Sequence, residues 1–221
     1  GLALQAALVF GALIAATDPV AVVALFRRLG APRRLQVLLE SESLLNDGTA
    51  IVMFGLMLTA ALQGAFDLRQ SISQFITVAG GGLTLGLIFG LSISQFIKRI
   101  DDPLVETALT TVLAFGSYLL AENLHVSGVL AVVTAGVVSG NTSQRYMSAS
   151  TRIVVYNFWE YAAFVSNSFI FLLIGLAIDL NLLFENWRAI AWAILAALIA
   201  RMVSAYAFSL FGRGISTKWK H

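Results

Sequence analysis

The stretch ESLLNDGTAIV, residues 42–52, decides how this chain is read. Glu42, Asn46 and Asp47 open a segment in which, from Ala50 to Leu62, almost nothing is polar. Upstream, AATDPVAVVAL, residues 15–25, has the same character, with Asp18 inside an apolar run and Pro19 directly after it. Carboxylates set inside segments apolar enough to cross a membrane require a physical reason.

Composition fixes the setting. Of 221 residues, 58% are hydrophobic and 12% charged, and the mean hydropathy is +0.85. A soluble domain carries about twice that charged fraction. Several runs approach the roughly 20 apolar residues that cross a bilayer. The expected class is all-α and integral to the membrane. Cysteine is absent, which removes disulfides and thiolate metal sites. A net charge of +2 is too small to call for a nucleic-acid partner. Gly1 already stands in an apolar run with no basic leader, so the chain reads as entered partway through rather than from a signal peptide.

About seven transmembrane helices are expected, over 1–26, 35–62, 72–97, 103–121, 126–140, 153–178 and 188–212. The fifth is short for a straight crossing and suits a helix tilted little or buried in protein. Arg27, Arg28, Arg33, Arg34, Lys98, Arg99, Arg145, Arg152, Arg213, Lys218 and Lys220 fall in the connections of one side and the tail, against Arg69 and Arg188 on the other. By the positive-inside rule the C-terminal tail is cytoplasmic and residue 1 outside. Gly82, Gly86 and Gly90 repeat every four residues, which lets a neighbouring backbone come close along one helix face. The tryptophans, mostly near span ends, suit interfacial anchoring.

Arg201 belongs to neither side. It stands thirteen residues from Arg188 and twelve from Arg213, near mid-membrane. Asp47 is thirteen residues past Arg34, roughly 20 Å in, and Asp18 nine residues before Arg27, roughly 14 Å in, at the helical rise per residue. Ionisable groups at such depth are costly and mark ion or proton pathways. Glu42 with Asn46, and Ser43 with Asp47, stack at four-residue spacing into a polar wedge. In Thr17-Asp18-Pro19 the proline lacks an N–H and its ring collides with the carbonyl of Ala15, so the helix breaks there. Freed carbonyls at membrane depth are tolerated where they line a cavity. Beside a carboxylate they form a site for a hard cation such as Na+. Glu160 suits an interfacial position, Glu106 and Glu122 solvated span ends, and His125 a turn.

Four stretches, ATDPVAVVALFRRLGAPRRLQVLLESESLLNDGTAIV (16–52), AENLHVSGVLAVVTAGVVSG (121–140), FWEYAAFVSNSFIFLLIGLAI (158–178) and ARMVSAY (200–206), carry a family likeness. In them the chain resembles the NhaP/NHE-type monovalent cation–proton antiporters, the sodium/hydrogen exchangers. The T-D-P and E-S-x-x-N-D motifs together carry most of the resemblance. It implies a secondary transporter and not an enzyme, exchanging Na+ (or Li+ or K+) for H+ with no cofactor. Asp47 would bind cation or proton in turn. Thr17, Asp18 and Ser43 would help coordinate the cation, and Glu42 would contribute directly or through water. Asn46 would mark the electroneutral branch, and Arg201 would pair with Glu42. The family is dimeric, sits in the cell membrane and moves a core bundle against a dimerisation bundle. By that pattern residues 1–62 would hold the first core-bundle helices, 72–140 dimerisation-side helices and 153–212 later helices including that of Arg201. About twelve or thirteen spans in inverted repeats are the family's rule, so the chain is expected to be partial.

Two other readings compete. An intramembrane aspartyl protease would use two mid-membrane aspartates, but Asp18 follows Thr17 and Asp47 follows Asn46, where such enzymes carry Y-D and G-x-G-D. A truncated, non-transporting membrane scaffold would fit a partial chain.

Overall fold

The computed structural model describes residues 4–63 and 68–211. Residue 1 and the basic tail with Arg213, Lys218 and Lys220, on which the expected orientation partly rests, lie outside the described residues. Every described element is a helix: α1 (Leu4–Ala15), α2 (Val20–Arg28), α3 (Arg33–Gln63), α4 (Leu68–Ile97), α5 (Pro103–Asn123), α6 (Gly128–Thr142), α7 (Ala149–Ala177), α8 (Leu180–Glu185) and α9 (Trp187–Phe211), with one 3-10 turn at Ser143–Arg145. Among the described residues six stretches are long and apolar enough to cross a membrane, α1 and α2 together counting as one. The fifth expected span, α6, has 15 residues, about 22 Å at the helical rise and short of a hydrocarbon core of about 30 Å. It is instead largely enclosed by protein, with Leu130, Ala131, Ala135 and Ser139 buried.

The connections follow from local chemistry. After α2, Gly30 takes φ +68°, and the Ala31 N–H closes back on the Phe26 carbonyl at 2.9 Å, the left-handed glycine ending of a helix. Asp102 caps α5 by accepting from the N–H groups of Leu104 and Val105 at 2.8 and 3.1 Å, with Pro103 entering the first turn. Ser127 caps α6 through the Leu130 N–H, and its own N–H donates to the Val78 carbonyl of α4 at 3.0 Å. His125, with φ 56°, makes the turn between α5 and α6.

The chain divides into two compact units, residues 1–165 and 166–221. In the first, α6 packs on α4 and α5, and α1 packs on α3. The α4–α6 contact is the tightest because the glycine row permits it. A Cβ at Gly82 would stand 2.5 Å from the Ser127 carbonyl oxygen, and one at Gly90 2.9 Å from the Val138 Cβ and 3.0 Å from the Ala135 carbonyl oxygen. Ser94, Thr142, Ser143 and Ser139 link hydroxyls between 2.7 and 3.0 Å at the far end of this pair. Val52, Leu56, Ala79 and Leu130 form the buried apolar cluster that joins α3 to α4 and α6. The second unit holds the end of α7, α8, capped by Asp179, and α9, with large apolar side chains such as Phe171, Leu176, Trp192 and Met202 exposed. Such surfaces are stable against lipid rather than water.

One residue departs from the sequence reading. Glu106, expected at a solvated span end, is 1% exposed, and neither carboxylate oxygen has a hydrogen-bond partner among the described residues. The cap at Asp102 starts α5 only one turn earlier, and Glu106 shares a helix face with the buried Leu113, Ser117 and Ala121. Nearness to a span end thus said nothing about which face the residue takes. Glu122, by contrast, is exposed and accepts from the Gly128 N–H at 3.3 Å.

Candidate cation site at the broken helix

The helix does break where Thr17-Asp18-Pro19 requires. α1 ends at Ala15, α2 begins at Val20, and the Pro19 carbonyl accepts the Val23 N–H at 2.8 Å as α2 starts anew. The break frees the Ala15 and Thr17 carbonyls and the Thr17 N–H from the helical ladder, and the polar wedge of α3 bonds to them. Asn46 Nδ2 donates to the Ala15 carbonyl at 2.8 Å and to Thr17 Oγ1 at 3.1 Å. The Ser43 hydroxyl donates to the Thr17 carbonyl. The Thr17 N–H donates to Asp47 Oδ1 at 3.2 Å. The chemistry of each wedge residue suits the atom it meets. An amide and a hydroxyl donate to carbonyls, and a carboxylate, which can only accept when ionised, takes an N–H.

Ser43 is 4% exposed; Thr17, Asn46 and Asp47 are half-buried. Asp47 Oδ2 has no hydrogen-bond partner among the described residues, so one carboxylate oxygen is anchored and the other is available. The end of α1 directs its terminal carbonyls, the negative end of a helix dipole, toward this place. Carboxylate, hydroxyl and carbonyl oxygens within one turn of each other suit a small hard cation. Among the described residues no group of three or more acidic, histidine or cysteine side chains converges, so the oxygen set is one of low charge.

Of the expected site residues in the first unit, Asp18 and Glu42 do not bond to the others. Asp18 is exposed and its Oδ1 accepts the Val20 N–H at 2.9 Å, closing a local turn ahead of α2 rather than bonding to the wedge. Glu42 is exposed and lies along an open groove with Arg34, Val37, Leu38 and Leu45. Arg201 sits on α9 in the second unit, its side chain exposed. An exposed pair, Arg27 with Glu40 at 3.5 Å, ties α2 to α3; such pairs contribute little stability. Sequence reasoning expected freed carbonyls at the break but not which side chains of α3 would meet them, Asn46 at Ala15 and Ser43 at Thr17. It also passed over Gly48, directly after Asp47, which is buried against Leu130 of α6.

The chain is 45% identical to the low-affinity Na(+)/H(+) antiporter NhaS1 of Synechocystis sp., over 98% of its own length and 41% of that protein. It is 47% identical to the Na(+)/H(+) antiporter ApNhaP of Aphanothece halophytica, over 93% of its length and 40% of that protein. To the Na(+)/H(+) antiporter NhaG of Bacillus atrophaeus it is 39% identical over all of its length and 43% of that protein. The chain thus spans about two-fifths of the relatives it matches. The transmembrane family described as sodium/hydrogen exchanger matches residues 1–221 throughout, and the chain belongs to that family.

Proposed function

We propose that the complete protein containing this chain exchanges a monovalent cation, Na+ foremost and Li+ or K+ as alternatives, for H+ across the cell membrane. Asp47 binds cation and proton in turn. Thr17 and Ser43 offer oxygens to the cation, and Asp18 and Glu42 shape the local charge. Asn46, a neutral donor committed to the backbone of the break, leaves Asp47 as the wedge's single carboxylate at the break, which suits electroneutral exchange of one cation for one proton. In the complete protein Glu42 and Arg201 pair, as the family resemblance implies. Exchange proceeds by alternating access in a homodimer, with the tail cytoplasmic and residue 1 outside. The observation that supports this reading best is the arrangement of Asp47, one oxygen held by the Thr17 N–H and the other without a partner among the described residues, beside a helix broken at membrane depth. The names of the relatives, all Na(+)/H(+) antiporters, agree with it.

The test is Asp47→Asn in the full-length protein reconstituted in vesicles. Cation-driven proton movement should vanish while expression and oligomeric state persist. Retained exchange removes Asp47 from the central role. Absence of exchange in the wild-type full-length protein, with cations from Li+ to K+, favours the scaffold reading.

A further inference from the structure

On α3 the cation site and the packing core occupy opposite faces. At 100° per residue, Ser43, Asn46 and Asp47 cluster within one arc, while Gly48, Val52 and Leu56 fall on another. Val52 and Leu56 belong to the buried cluster with Leu130, which is itself 2% exposed. Gly48 continues that face directly beside Asp47. A Cβ placed on Gly48 would lie 2.5 Å from Leu130 Cδ2 and 3.2 Å from its Cγ. Carbon atoms in contact rest near 3.5–4.0 Å, so the overlap is about 1 Å. The leucine has little room to retreat. On its other side a Cβ at Gly82 of α4 would come within 3.3 Å of Leu130 Cβ. Its own backbone is held at the start of α6, where the Leu130 N–H donates to Ser127 Oγ and the Ser127 N–H to Val78 of α4. Leu130 is a wedge seated between two glycines on two helices, and α3 lies between that wedge and the broken segment at Thr17.

We propose that Leu130 and Gly48 form a positioning contact for the cation site: the leucine, packed on the missing side chain of residue 48, fixes how deeply and in what rotation α3 presents Asp47 to Thr17. The inference rests on the reading of Asp47 as the ion-binding carboxylate. Its physical basis is that α3 cannot move away from the wedge without pressing into the break, where Asp47 Oδ1 meets the Thr17 N–H at 3.2 Å. A displacement of about 1 Å in a site built on such distances is enough to cost up to about a hundredfold in turnover.

The experiment is a double-mutant cycle in the full-length protein, reading exchange rate against Na+ concentration, Na+ binding by calorimetry with choline chloride as control, and thermal stability. Gly48→Ala should lower exchange efficiency and weaken Na+ binding by about tenfold or more. Leu130→Ala removes both clashing atoms, so Gly48→Ala/Leu130→Ala should recover most of that loss although the cavity left by the leucine keeps its Tm below wild type. A purely structural contact would make the double variant worse in both readouts, and that result overturns the proposal, as does a Gly48→Ala variant with wild-type exchange and binding. Leu130→Val, which shortens the wedge against the native glycine while keeping the core largely filled, is the second variant should Gly48→Ala fail to fold. It should raise the apparent KM for Na+ several-fold with little change in Tm, and an unchanged KM overturns the proposal. Asp47→Asn is measured alongside: if it still binds Na+, the reading of Asp47 fails, whereas an absent recovery with Asp47→Asn inactive fails the positioning contact alone.

Discussion

At the scale of single residues, the break at Thr17-Asp18-Pro19 is stable because the atoms it frees are matched by donors and acceptors of the right kind. Asn46 illustrates the constraint. Its amide nitrogen serves the Ala15 carbonyl and Thr17 Oγ1 at once. Asn46→Asp keeps the shape and removes the donor, setting a carboxylate against a carbonyl. Loss of these partly exposed hydrogen bonds costs about 0.5–1.5 kcal/mol each. The expected result is a lower Tm in the full-length protein together with a changed charge balance of exchange. Thermal unfolding and the response of exchange to an imposed membrane potential check both parts; a variant as stable as wild type would show that water, not Asn46, satisfies Ala15.

At the scale of helices, the organising device is the glycine row of α4. It brings the backbones of α4 and α6 close enough that a 15-residue helix is enclosed by protein. Gly86 is the most demanding position, because a Cβ there would meet the backbone carbonyl of Ala131, which cannot swing aside, as well as Thr134 Cβ at 2.8 Å. Gly86→Ala should therefore destabilise by about 1–3 kcal/mol through overpacking. Gly80→Ala, with nothing within 4 Å of the added atom, is the matched control and should leave Tm unchanged or slightly higher. Equal Tm values for the two variants would contradict the close α4–α6 approach.

At the scale of the whole molecule, the proposal that Asp47 serves both ligands implies competition between them. Competition of Na+ and H+ for one site makes the apparent KM for Na+ rise as pH falls; as pH rises far enough, protons for the return step become scarce and the rate should fall again. Initial rates of the full-length protein over a grid of Na+ concentration and pH measure this. A KM that stays flat with pH would rule out direct competition at Asp47 and point to separate proton and cation groups. The buried carboxyl of Glu106, far along the chain from the break and without a partner among the described residues, is then the first group to test.

The class, the spans and the break were legible in the amino-acid sequence. Hydrophobic runs, a proline after Asp18 and a wedge of Glu42, Ser43, Asn46 and Asp47 are local signals, and local signals follow from the covalent chain: a proline removes its own N–H wherever it sits. The glycine spacing of α4 was likewise readable, since four-residue repeats place groups on one face in any helix. Which partner each group meets came from the packed helices alone. Packing turned Asp18 onto the Val20 N–H rather than into the wedge, and set Asn46 on a backbone carbonyl thirty-one residues away. It also buried Glu106 at a span end and seated Leu130 on Gly48. Those outcomes depend on the rotation of one helix against another, which is set by the summed packing of the faces and is written in no single stretch of the chain.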